Sequence, residues 1–202
     1  MLTLIVIAVT VLVSWLAFQR PRLLERLILW PPAIDKKRQY DRLVTHGFIH
    51  ADWQHLLFNM ITLFFFGQTI EPLFADYMGP LGFVLFYLSA IVVAILPTYL
   101  RHRHDPSYRS LGASGGVSAV LFAFILLKPW SLIFVFFLPV PAIVYAVAYV
   151  GYSFYAERLG HDNVNHSAHL SGAAYGVLFM LLMDPGVGGT FVRELTNPQF
   201  LR

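Results

Sequence analysis

Six stretches of 16 to 27 residues in this 202-residue chain contain no Asp, Glu, Lys or Arg and are dominated by aliphatic and aromatic side chains. They lie at 2–18, 53–70, 78–100, 112–127, 129–155 and 167–183. One soluble core cannot hide that much apolar length, whereas a helix of about 20 residues crosses the hydrocarbon of a bilayer. Composition agrees: 57% of residues are hydrophobic and 12% charged, against about 45–50% and about 25% in an ordinary soluble domain. A water-soluble globule is excluded. The chain reads as an all-α membrane protein, a six-transmembrane-helix bundle forming a single domain over residues 1–202 and facing the lipid bilayer.

Zero cysteines exclude a disulfide framework, a thiol nucleophile and a thiolate metal site. The net charge of +3 does not point to nucleic acid, because the Lys and Arg residues sit between the apolar runs, where they flank a membrane. The first run lacks the basic start and small-residue cleavage site of a secretory signal, so it reads as a span. Residues 20–52 mix seven basic side chains with aromatic and aliphatic ones, a pattern that suits an interfacial, partly helical loop. Pro97, Pro139 and Pro141 are expected to kink or unwind the spans that hold them. No internal repeat supports an inverted-repeat transporter. Eleven of the 14 basic residues fall in loops leading into the second, fourth and sixth spans, and Lys128, Arg193 and Arg202 lie on the opposite side. Counting charge places the former face toward the cytoplasm.

Three polar groups interrupt this pattern. Gly112-Ala113-Ser114-Gly115-Gly116 opens the fourth span, and glycines around a serine permit a tight turn that exposes Oγ and neighbouring N–H groups. Gly112-x-x-x-Gly116 also fits a plain helix-packing motif. His169 opens the sixth span on a helical face with Gly172 and Gly176. His55 and Asn59 open the second with i, i+4 spacing. Counted back from Lys128, Asp184 and Glu71 at about 1.5 Å per residue, Ser114, His169 and His55 stand about 21, 22 and 24 Å above the far boundary of a core about 30 Å thick. Common depth on one side permits acyl transfer, with Ser114 as nucleophile and His169 as general base and acid. Helix N-terminal N–H groups with His55 and Asn59 would stabilise the oxyanion. No acidic residue is obviously placed to orient His169, which implies a Ser–His dyad.

At these residues the chain resembles the rhomboid intramembrane serine proteases. Gly112-Ala113-Ser114-Gly115 matches the family's G-x-S-G, Ala168-His169 followed by Gly172 and Gly176 matches A-H-x-x-G-x-x-x-G, and His55-x-x-x-Asn59 matches H-x-x-x-N. The likeness runs from about Arg42 to Asp184. It implies a six-helix bundle with a water-filled site, Ser114 and His169 as the dyad, oxyanion contacts from the Ser114 N–H, His55 and Asn59, no cofactor, and transmembrane proteins as substrates. It further implies a bacterial inner membrane location, with the active site opening to the outer face, the reverse of the charge count. Two positions depart from the family. Asp41-Arg42 stands where many bacterial members carry Trp-Arg. Ser118 stands where some place a Tyr stacked on the catalytic imidazole, leaving Tyr152, Tyr155 and Tyr175 as candidates for that surface.

Two other readings remain. His46, His50 and His55, with His161, His166 and His169, invite a metal site or a metal- or proton-coupled transporter, but no His-Glu-x-x-His is present and Asp52 and Asp162 lack a ligand frame. An inactive rhomboid-like protein that binds transmembrane helices for quality control is the other, and there the Ser or His of the dyad is missing.

Overall fold

The first apolar run forms helix α1, Leu2–Gln19, and its polarity is inside out. Thr3, Val6, Thr10, Ser14 and Ala17 form a buried stripe at helical spacing, while Leu4, Ile5, Val9, Leu12 and Trp15 are exposed. Small and hydroxyl-bearing residues let helices approach closely in a bilayer, where the large apolar side chains face lipid. The computed structural model describes residues 1–135, 137–160 and 164–197.

The basic segment after α1 is partly helical, as its composition implied, with α2 (Pro21–Leu27), α3 (Pro31–Lys37), α4 (Arg42–Thr45) and a 3-10 turn at His46–Phe48. Arg42 is buried and ties the segment together: Nη1 donates to the carbonyls of Glu25 (2.8 Å) and Ile28 (2.6 Å), and Nε donates to Gln39 (2.7 Å). Asp41, at the position of the missing aromatic, pairs with Arg26 at 2.6 Å. That contact holds its carboxyl below the usual range. Trp30 is packed under two cations, Lys37 and Arg109.

The second span begins as α5, Trp53–Thr62, passes through a π-helical turn at Leu63–Gly67 and continues as α6, Gln68–Met78. It therefore outruns the expected boundary at residue 70. Glu71, taken from sequence as the polar far end, instead accepts hydrogen bonds from Leu2 N, Thr3 N and Thr3 Oγ1 at 2.6 to 2.9 Å. A carboxylate there caps the N-terminus of α1. Helix α7, Gly82–His102, runs on through Pro97.

Helix α8, Ser114–Leu127, sits at the centre with 12 of its 14 residues buried. The run at 129–155, expected to be one kinked helix, is divided. Strands β1 (Leu132–Val135) and β2 (Leu138–Pro141) pair antiparallel, Leu132 opposite Pro141, and α9 covers Ala142–Leu159. Helices α10, His166–Met183, and α11, Gly186–Thr196, complete the described chain, bent from one another by 115°.

The core lies among α6, α7, α8 and α10, where Phe74 and Phe86 stack at 4.4 Å and Phe179 tilts against both. Among the described residues, three helical segments (α1, α5 with α6, and α7) are long and apolar enough to cross a membrane, or four if α10 and α11 count as one bent span. The fold is thus a largely helical membrane bundle, in which α8 is too short to meet that criterion.

Candidate active site

The segment leading into α8 cannot continue as helix, because Gly112 has φ of +116°, in the left-handed region that side-chain-bearing residues avoid. Space makes the same demand, since a Cβ on Gly112 would lie 2.6 Å from Cε1 of His55. Gly112 N donates to the His46 carbonyl at 2.9 Å, and the first bond of the new helix runs from Val117 N to the Ala113 carbonyl at 2.9 Å. Ser114 therefore opens α8. The N–H groups of Ser114, Gly115 and Gly116 precede the first intrahelical bond, at the positive end of the helix dipole. Gly112 is accordingly not part of a helix-packing pair with Gly116, as the spacing alone allowed.

Helix α10 starts at a hydrogen-bonded cap. Asn165 Oδ1 accepts from Ala168 N (3.0 Å) and Thr98 Oγ1 (2.9 Å), while its Nδ2 donates to Ser110 Oγ (3.2 Å) and Tyr108 Oη (3.4 Å). One side chain joins α10, α7 and the strand-like segment before α8, which bridges to Leu29 through Ser110. Below the cap the two helices touch backbone to backbone. A Cβ on Gly172 would overlap the Gly115 carbonyl oxygen, and one on Gly176 would overlap the Ala119 carbonyl oxygen. Ser114 adjoins Gly115, and His169 lies one turn before Gly172. The close contact thus draws the first turns of α8 and α10 together, and Ser114 and His169, on those turns, are both half-buried. A partly open cavity of about 10 Å³ beside Ser114 is lined by His46, Ser110, Asn165 and Ala168 among others, room for about one water molecule.

His55 reaches the same place from α5, lying against Gly112, with His50 edge-on at 4.9 Å. Asn59, one turn below, directs Nδ2 to the His55 carbonyl at 2.9 Å, leaving its second amide hydrogen for another acceptor. His50 links three elements. Its Nε2 accepts from Ala113 N at 3.4 Å, so Nδ1 carries the proton and donates to Ser14 Oγ at 2.9 Å, and Ser14 donates to the Phe48 carbonyl at 3.0 Å. Burial pushes His50 down to about 3 and His46 down to about 4, so both are neutral. His46 bonds the Arg42 carbonyl at 3.0 Å. These histidines are occupied as hydrogen-bonding struts rather than arranged as a metal cage. His161 and Asp162 of the metal hypothesis, and Arg202 of the charge count, lie outside the described residues.

Among the described residues, the tyrosine stacked on His169 is not one of the three anticipated. Tyr149 of α9 stacks on it, ring centroids 6.0 Å apart at 20°. Tyr152 meets His166 edge-on, and Tyr175 stacks on Phe86 and hydrogen-bonds Ser89 at 2.6 Å. Tyr155 is exposed. Sequence held two overlooked signals. Tyr145, Tyr149 and Tyr152 repeat at i, i+4, i+7 on one helix face, and Asn165 stands where an N-cap is expected before an apolar run.

A helical integral membrane protein, with a serine at one helix N-terminus packed through glycine against a histidine-bearing helix, is the class that fold and site define. The family model for the Rhomboid domain matches residues 37–185. The chain belongs to the rhomboid family. It is 32% identical over 185 residues to RHOMBOID-like protein 12, mitochondrial, of Arabidopsis thaliana, covering 83% of this chain and 53% of that one. Rhomboid-like protein 11, chloroplastic, of the same plant is 31% identical over 159 residues, 71% and 52% of the two chains. YdcA of Bacillus subtilis is 29% identical over 111 residues, 52% of each. The chain spans about half the length of these curated relatives. Two of the three names are organellar, so the expectation of a bacterial inner membrane draws no support from them.

Proposed function

We propose that this rhomboid is an intramembrane serine endopeptidase that hydrolyses peptide bonds in or near the transmembrane helices of membrane-protein substrates. Rhomboids are generally serine proteases, and both members of the dyad are present here. The observation that carries the reading is the glycine contact of α8 with α10, which presents Ser114 and His169 at adjoining helix starts. Ser114 Oγ attacks the scissile carbonyl carbon while the His169 imidazole takes its proton. The imidazolium returns that proton to the leaving amine, and a water deprotonated by His169 then hydrolyses the acyl-enzyme. Negative charge on the tetrahedral oxygen is met by the N–H groups opening α8 and by His55 on Gly112, with Asn59 completing the donor set. The six spans are α1, α5 with α6, α7, α8, α9 and α10, in one rhomboid-like domain.

The test uses purified protein and a single-pass model substrate. Wild type cleaves it and is labelled by a serine-directed fluorophosphonate, whereas Ser114→Ala does neither, a loss of orders of magnitude because the dyad acts as a unit. Cleavage by Ser114→Ala at the wild-type rate overturns the reading. An inactive helix-binding relative would leave wild type unlabelled and uncleaving.

A further inference from the structure

We infer that Tyr149, held by Ser118, is the positioning residue for the His169 imidazole, an assignment that rests on the protease reading above. A general base in a dyad needs its ring plane fixed, since a misdirected ring nitrogen misses the nucleophile. Helices α8 and α10 carry no Asp or Glu, and the ring stacked on His169 comes from α9.

The geometry of Tyr149 supplies it from two ends. Its ring lies nearly parallel to His169, at 6.0 Å and 20°, within the range of offset aromatic stacking. Its hydroxyl is 2.7 Å from Ser118 Oγ, and Phe122 tilts against the same ring at 5.6 Å. Ser114, Ser118 and Phe122 are spaced i, i+4, i+8 and so share one face of α8. Tyr149 is therefore clamped to the helix face that presents the nucleophile while its π face covers the base. His166 meets His169 edge-on at 5.8 Å and 78°, limiting tilt in the other direction.

Parallel stacking leaves the imidazole free to slide within its plane yet stops it rotating out of it. The π face also favours the positive charge that His169 gains when it takes the serine proton. Both effects act on the chemical step, so truncation lowers kcat more than it changes KM.

Wild type, Tyr149→Leu, Tyr149→Phe and Ser118→Ala are compared in detergent by kinetics and by ring resonances of selectively labelled histidine. Tyr149→Leu is expected to lower kcat about 10- to 100-fold with KM within about twofold. It should also remove the ring-current shift from the His169 resonances. Tyr149→Phe keeps the ring but loses the tether, and is expected to lower kcat about three- to fivefold, with a displaced His169 ring-current shift. Ser118→Ala matches Tyr149→Phe, and their combination is no worse than either, since both delete the same hydrogen bond. Unchanged His169 resonances in folded Tyr149→Leu overturn the assignment, as does a loss confined to KM. The resonances report whether or not the protein cleaves anything. A wild type inert to substrate and fluorophosphonate, with the ring-current shift intact, breaks the protease reading instead. Should Tyr149→Leu not fold, Ser118→Ala carries the same comparison, and wild-type kcat with unmoved resonances there refutes the clamp.

Discussion

Helices α8 and α9 are neighbours made of similar apolar residues, yet they live in opposite surroundings. In α8, 12 of 14 residues are buried, and its flanking contacts are backbone against glycine. In α9 only Ala142, Ala146, Ser153 and Ala156 are buried, and Val144, Val147, Tyr152, Phe154 and Tyr155 are exposed. The difference lies in side-chain size. Small residues allow the close approach that stabilises helices in lipid, where apolarity alone gives no preference for protein over bilayer. Helix α8 is thus a fixed post carrying Ser114, while α9 is a peripheral helix that touches the site chiefly through one tyrosine.

The largest expected effect falls where backbones meet. Gly172→Ala pushes a methyl group into the Gly115 carbonyl and forces α8 and α10 apart; a loss of about 3 kcal/mol or more is expected by thermal unfolding in detergent, together with loss of cleavage. A wild-type melting curve would mean that the two helices are not in the contact described.

Acid comes next. His46 and His50 have folded-state values of about 4 and about 3, below the ordinary 6.5. Their unfolded forms therefore bind more protons between pH 6.5 and 4. Stability is complete above pH 6.5 and falls as the pH drops, by up to about 1.4 kcal/mol per unit for each histidine. At pH 5.5 a total loss of about 3 kcal/mol is expected, with lower hydrogen-exchange protection, relative to the intrinsic rate at each pH, at the Ala113 amide and unchanged protection in α9. Equal loss of protection in both helices would erase the contrast between them.

The smallest effect, and opposite in sign, belongs to α9. Nothing lies within 4 Å of a Cβ on Gly151, so Gly151→Ala should stabilise by about 0.5–1 kcal/mol through helix propensity alone. Destabilisation there would show α9 to be packed as tightly as α8.

Hydropathy made the helical starts legible. The run at 2–18 became Leu2–Gln19, and that at 167–183 became His166–Met183, because charge and polarity end abruptly there. The turn that opens α8 at Ser114 was legible too, since Gly112 must hold a backbone that other residues resist. The hairpin was not. Continuous apolar residues have no period to separate strand from helix, and Pro139 and Pro141 signalled a helix break without saying what replaced it. Pro141 in fact precedes the first residue of α9. The role of Tyr149 was half legible: its spacing with Tyr145 and Tyr152 marks one face of α9, but which helix that face lies beside is encoded in no local pattern.

The widened turn at Leu63–Gly67 has a rotational consequence. Asn59 and Glu71 are 12 residues apart, so on an unbroken α-helix they would point about 120° away from each other. A π turn absorbs about one extra residue, cancelling about 100° of that rotation, and brings both polar groups to nearly the same azimuth. Gln68 and Thr69 then close the loosened ladder, donating to the Phe64 and Phe65 carbonyls at 3.0 Å each. One span thereby serves two leaflets, holding a carboxamide against the His55 carbonyl at one end and offering a carboxylate to the start of α1 at the other. Deleting a single residue between 63 and 67 would let the span close as a plain α-helix with that phase kept, whereas forcing all of its residues into α-helical bonding would turn one of the two toward lipid.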